Sequence, residues 1–149
     1  MGRALRSVVD LTAMPRKTIW LDCDVLQADG GTRCAAVTGA YVALVDCVME
    51  LDRQRLLKRF PLLGSIAAVS VGVVGGEPRL DLCYEEDLAA DVDSNVVMND
   101  RGEFLEVQAT AEKKPLSRPQ LDSLLQLAES GIKQILQIQK QTIGAATRK

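Results

Sequence analysis

The stretch "TIWLDCDVLQADGGTRCAAVTGAYVALV", residues 18–45, holds three kinds of pattern in succession. In its first eight residues Ile19, Leu21, Cys23 and Val25 alternate with Trp20, Asp22 and Asp24, the period of a strand with one buried face. Gly30-Gly31 follow as a hinge. From Ala35 onward Val37, Tyr41, Leu44, Val45 and Val48 recur at helical spacing in an alanine-rich run. Strand, hinge and helix in that order predict a helix laid on a sheet. The hinge admits two readings. Glycine lets a backbone approach a ligand, the first N–H groups of the following helix favour an anion, and Arg33 offers a planar fork for phosphate oxygens. Alternatively Thr32 caps an ordinary turn and Arg33 is solvated, which these residues by themselves favour. The P-loop pattern is absent.

Outward from this stretch, composition narrows the chemistry. The 149 residues fit one domain, expected over 1–149, with 47% hydrophobic and 26% charged residues and a net charge of −2. No global basic bias advertises nucleic acid, so any contact with it must come from local patches or assembly. There is no histidine, which excludes imidazole bases, His-based triads and imidazole zinc sites. Cys23, Cys34, Cys47 and Cys83 are widely spaced without a CxxC and read as buried free thiols in a reducing, cytoplasmic compartment. The N-terminus lacks the apolar core of a signal peptide, and no segment reads as a membrane span.

The remaining chain reads as hairpins and helices. Residues 1–11 look like the end of a helix, broken at Pro15. "SIAAVSVGVV" (65–74) and "RLDLCY" (79–84) form a hairpin across "GGEP", and "SNVVMN" and "EFLEVQAT" a second across "DRG". Near the C-terminus Ser117 caps a long helix, with Gln120 three residues on and an apolar stripe of Leu121, Leu124, Leu125, Ala128, Ile132, Ile135 and Leu136. The expected class is α+β.

Two charged clusters join the hinge as candidates. Asp81, Glu85, Glu86, Asp87, Asp91 and Asp93 crowd between two strands. Such carboxylates can hold Mg²⁺, or raise one another's pKa until one serves as a general acid, or form a solvated loop. Leu88 and Val92 tether this loop to a core. Arg53, Arg55, Lys58 and Arg59 read as a solvated helix end, too few and without aromatics for a strong nucleic-acid patch. An anion hinge near a carboxylate cluster suits phosphoryl or nucleotidyl transfer.

"RKTIWLDCDVLQADGGTR", "TGAYVALVD", "LDLCYEEDLAADVDSNVVM" and "EFLEVQATAE" together resemble the ribonuclease PH family, from Gly2 to about Ile143. The resemblance implies an RNase PH-like split β-α-β sheet-and-helix domain and a phosphate-dependent 3′→5′ exoribonuclease, a tRNA nucleotidyltransferase that trims tRNA precursor 3′ ends, with rRNA as a further RNA partner. It implies inorganic phosphate as co-substrate at Gly31, Thr32 and Arg33, with Asp87 and Asp93 as acid or Mg²⁺ ligands. It also implies a homo-oligomeric, hexameric ring. Three departures stand out. Ala109 replaces a usual glycine and could shift its strand end, Asp91 replaces a usual glutamate, and "MGRALR" resembles the middle of a family helix. The last leads to the expectation of an N-terminally truncated copy, lacking strands, basic RNA-binding residues and a further phosphate-contacting arginine. A catalytically inactive RNase PH-like module for RNA binding or ring assembly is the alternative.

Overall fold

A computed structural model of the chain describes residues 1–146; residues 147–149 of the expected 1–149 domain lie outside it. Its elements in order are α1 (Gly2–Arg6), a 3-10 turn at Leu11–Ala13, α2 (Thr32–Arg53), β1 (Ile66–Val74), β2 (Glu77–Leu80), α3 (Tyr84–Ala89), β3 (Val92–Asn99), β4 (Phe104–Ala111) and α4 (Arg118–Ala146). The four strands form one antiparallel sheet in the order β2-β1-β3-β4. The second hairpin is present as predicted; the first is present with its second strand starting earlier, turning at Gly75 and Gly76 alone because Glu77 and Pro78, expected in the turn, pair with Val74 and Val73.

Strand alternation sorts the side chains into two cores. Ala67, Val69, Val71 and Val73 of β1 join Val92, Val96 and Met98 of β3 on one face, covered by Leu124, Ala128 and Ile132 of α4. Ile66 and Ala68, with Val97, lie on the other face beneath Val37, Tyr41, Leu44 and Val48 of α2. Burial on both faces is why β1 reads as an unbroken apolar run. The start of α4 is fixed by the predicted capping box: the Ser117 backbone N–H donates to Gln120 Oε1 at 3.0 Å, and the Gln120 N–H reaches Ser117 Oγ at 3.4 Å. Because Leu124 is completely buried at the centre of this contact, Leu124→Ala should cost about 2–5 kcal/mol, read as a lower denaturant midpoint with unchanged slope.

The strand expected over 18–25 does not form. Its residues have no regular structure, and none of the four strands pairs with them. Alternation marks a face, but a strand also needs a ladder partner, and here only Ile19 and Leu21 reach the α2 core. Cys23 and Val25, assigned to the same face, are exposed. The expected burial of the cysteines holds fully only for Cys34; all four are free thiols. Residues 81–84 also leave the sheet, passing through Asp81 at φ 58° into α3. Against the expectation that no segment reads as a membrane span, helix α2 is long and apolar enough to cross a membrane by length and composition. Seven of its residues are buried within the fold.

Candidate active site: a polar cleft at the N-terminus of α2

The face of the sheet beneath α2 is apolar at one end and polar at the other. Reading towards the polar end, β1 contributes Ile66, Ala68, Ser70 and Gly72, and β3 contributes Val97, Asn95 and Asp93. Edge strand β4 contributes Glu106, Gln108 and Thr110, as the registers Ser70↔Asn95, Asn95↔Gln108 and Asp93↔Thr110 require. Helix α2 runs along this gradient. Tyr41 donates its hydroxyl to the Gly64 carbonyl at 3.2 Å, the Thr38 hydroxyl accepts from the Ala68 N–H at 3.1 Å, and Cys34 Sγ lies 2.9 Å from Asn95 Oδ1. The N-terminus of α2 is thereby set over the polar end.

The hinge is built for that position. Gly31, not Thr32, is the N-cap, in the left-handed region at φ 68°, and no side chain caps the helix. Thr32 lies inside the first turn and donates its hydroxyl to the Asp29 carbonyl at 2.7 Å. The Asp29 carboxylate accepts from the Gly30 N–H at 2.8 Å and from the Tyr84 N–H at 2.6 Å, tying the hinge to the first residue of α3. Gly30 lies so close to the segment before α3 that a Cβ there would stand 2.0 Å from the Leu82 carbonyl oxygen.

An open cleft of about 590 Å³ results, lined by the N-cap Gly31, Thr32 and Arg33 of α2, Asp87 from α3, and Asp93 and Asn95 from β3. All five residues that the resemblance assigns to the site line it. The other carboxylates of the acidic run do not line it. Asp91 is buried and paired with Lys114 at 2.9 Å, and Glu86 caps α3 by accepting from the Cys83 N–H at 3.3 Å. The run is thus neither a loop nor a single cluster but a short helix and a strand start that divide the acids. Leu88, expected to tether it, is 70% exposed, while Val92 is buried.

Burial, reinforced by the negative charges of Asp87 and Glu112, pushes the Asp93 carboxyl above its ordinary value, against a hydrogen bond from the Ser94 N–H. Burial likewise pushes the Cys34 thiol up to about 12, so it remains protonated and is no nucleophile. The Arg33 guanidinium is held by Glu106 and Gln108 of β4. Ser70, Asn95, Glu106 and Gln108 were not singled out from sequence. Asp93 and Asn95 two residues apart, and Glu106 and Gln108 likewise, are the period-two signal that marks them. Ala109 lies on the opposite face, and the ladder runs unbroken through its pairing with Ser94. The irregularity falls at Val97/Met98 instead, so the expected shift at Ala109 does not occur.

Residues 1–50 match the family model described as 3′ exoribonuclease family, domain 1, and residues 64–131 match that of domain 2. The chain belongs to the RNase PH-type 3′ exoribonuclease family. The RNase PH-like fold is seen again in the crystal structure of rice (Oryza sativa) Rrp46, at a TM-score of 0.64 and 18% identity. That match covers 80% of this chain and 51% of the rice chain, so the chain spans about half the length of that RNase PH-like structure.

Proposed function

We propose that the cleft is a phosphorolytic site acting on RNA 3′ ends, those of tRNA precursors first. The observation that carries this reading is the meeting of Gly31, Thr32 and Arg33 with Asp87 and Asp93 in one cleft. The uncapped N-terminus of α2 and the Arg33 guanidinium supply N–H donors and positive charge for inorganic phosphate. A phosphate oxygen attacks the terminal phosphodiester, the bond from phosphorus to the 3′ oxygen of the preceding nucleotide breaks, and a nucleoside diphosphate leaves. The departing 3′ oxygen takes a proton, and Asp93, whose carboxyl is held above its ordinary pKa, is the donor suited to give it. No water is activated, consistent with a chain that has no histidine.

Mg²⁺ fits this residue set in a restricted way. Among the described residues no group of three or more His, Cys, Asp or Glu converges to hold a metal. Asp87 could supply one of the one or two carboxylates with which Mg²⁺ is commonly held alongside substrate phosphates, and Asp93 the second once it has given up its proton. When bound there it would neutralise charge on the phosphate oxygens.

Supplying an RNA with a 3′ extension should give nucleoside diphosphates only when phosphate is present. Release of monophosphates without phosphate would overturn the mechanism. Arg33→Ala should raise the phosphate concentration needed for half-maximal turnover by roughly 10- to 100-fold, the worth of a charge-assisted contact, and an unchanged requirement would remove Arg33 from the site.

A second reading, a ring-assembly module without turnover, rests on the surface. Edge strand β4 is exposed along most of its length, and Trp20 and Leu26 are 84% and 95% exposed, features that call for a partner. In either reading the chain works as part of a homo-oligomer, the ring of the family being a hexamer, in the reducing setting of the cytoplasm. Native mass measurement alongside the phosphorolysis assay separates the two: a ring that releases diphosphates supports the enzyme, an assembly that releases none the module.

A further inference from the structure

The phosphate reading leaves one contact unexplained. Arg33, the cation assigned to the incoming anion, donates from one terminal nitrogen to Glu106 Oε1 and from the other to Gln108 Oε1. Both acceptors project from the same face of β4, two residues apart, towards the side of the sheet that carries Asp93 and Asn95. Glu106 is half-buried in this position, its side chain 29% exposed against 47% for Arg33. An acid beside an anion site is unexpected on charge alone, since it cancels part of the field that attracts phosphate.

A guanidinium can tolerate this arrangement. It carries donors on several edges of a rigid plane, so two of them can be anchored while the others face the cleft. An unanchored arginine carries about 2 kcal/mol of rotamer entropy, part of which is lost when it binds. Anchoring removes that loss in advance and fixes the plane of the fork. The Asn95 amide nearby is oriented in a comparable way, its Oδ1 turned to Cys34 Sγ at 2.9 Å. A thiol pushed up to about 12 stays a donor at every physiological pH, which turns the amide nitrogen of Asn95 away from Cys34.

We propose that Glu106, with Gln108, is a positioning residue that holds the Arg33 fork in register with the N-terminus of α2, so that inorganic phosphate meets a preset donor array. This rests on the phosphate reading of the cleft and adds to it a role for β4. The alternative for the same contact is competition, in which Glu106 occupies the place of the anion and must be displaced.

The two differ in sign, and inorganic phosphate is a sufficient probe. Phosphate affinity is measured by calorimetry for the wild-type chain, Arg33→Ala, Glu106→Ala and the near-isosteric Glu106→Gln, with melting temperature recorded for each. Positioning predicts that Glu106→Ala weakens phosphate binding about three- to tenfold although a negative charge has been removed. Glu106→Gln, which keeps an acceptor for Arg33, should restore part of the affinity. In ¹⁵N spectra the terminal Arg33 nitrogens should be distinct in the wild type and averaged in Glu106→Ala, a change that an altered fold stability would not itself produce. Unchanged or tighter phosphate binding in Glu106→Ala overturns the positioning role while leaving the phosphate site intact, provided that Arg33→Ala still loses affinity. If Arg33→Ala binds phosphate as tightly as the wild type, the phosphate reading falls, and the role of Glu106 with it.

Discussion

Asp93→Asn is expected to lower phosphorolytic turnover by ~10²–10⁴-fold, the range lost with a general acid, and at the same time to raise the melting temperature near pH 7. The pairing of opposite effects follows from one cause. Burial and the neighbouring charges of Asp87 and Glu112 lift the Asp93 pKa above its ordinary 3.8 in the folded chain. The folded state therefore holds this proton more tightly than the unfolded state. The stability linked to it is complete below the ordinary value and is lost as pH rises through the raised one. Near neutral pH the unfolded chain ionises this carboxyl more readily than the fold does, a net cost to folding that asparagine removes while keeping an oxygen to accept from the Ser94 N–H. The gain in melting temperature should shrink to nothing as pH falls below 3.8, where aspartic acid and asparagine are both neutral. Turnover assayed with a 3′-extended RNA and melting curves across pH test both halves. Wild-type turnover in Asp93→Asn would remove it as the acid, whatever the melting curves show. Asp87→Asn should also abolish turnover, and it should lower the pKa of Asp93 by taking away a like charge.

How far the sequence discloses this site depends on the range of each interaction. The hinge and α2 were legible because glycine pairs, apolar spacing and N-terminal geometry are set within a few residues. The two hairpins and the cap of α4 are local in the same sense. The segment over 18–25 shows the limit. Its alternation is as regular as that of β3, but β3 lies between two strands, whereas 18–25 has no ladder neighbour among the described residues. The acidic run shows another. Six carboxylates in thirteen residues look like one cluster until α3 turns Asp87 into the cleft while Asp91 is drawn to Lys114. The Arg33–Glu106 pair spans 73 positions, and nothing local announces it. It becomes visible only when β3 and β4 are placed in register. The family resemblance reached Gly31, Thr32, Arg33, Asp87 and Asp93 without any of this geometry, but it was silent on Glu106 and Gln108, which hold Arg33, and on Ser70, which ties down the segment before α3.

Gly30→Ala should dismantle the cleft while Gly39→Ala, nine residues along, should strengthen the fold. At Gly30 the new methyl would lie 2.0 Å from the Leu82 oxygen and 2.7 Å from the Cys83 carbonyl carbon, both backbone atoms that cannot rotate away. The opposing segment is also unable to retreat. Leu82 is buried, its N–H donates to Ser70 Oγ at 3.1 Å, and the Asp81 N–H donates to the Ser70 carbonyl at 2.8 Å. The hinge must therefore lift, breaking the Asp29 link to the Tyr84 N–H and parting Gly31, Thr32 and Arg33 from Asp87. Overpacking of this kind costs about 1–3 kcal/mol or more, a fall of several degrees in melting temperature for a chain of this size. The protection against melting expected from phosphate in the wild-type chain should vanish with it. At Gly39 a Cβ meets nothing within 4 Å, and the position lies inside α2. Alanine there should add about 0.5–1 kcal/mol through helix propensity and leave phosphate protection unchanged. Opposite signs for the same chemical change would show that the hinge glycine serves the approach of two backbones. Equal melting temperatures for the two variants, or phosphate protection retained in Gly30→Ala, would show that the hinge and the α3 segment do not need this contact to form the cleft.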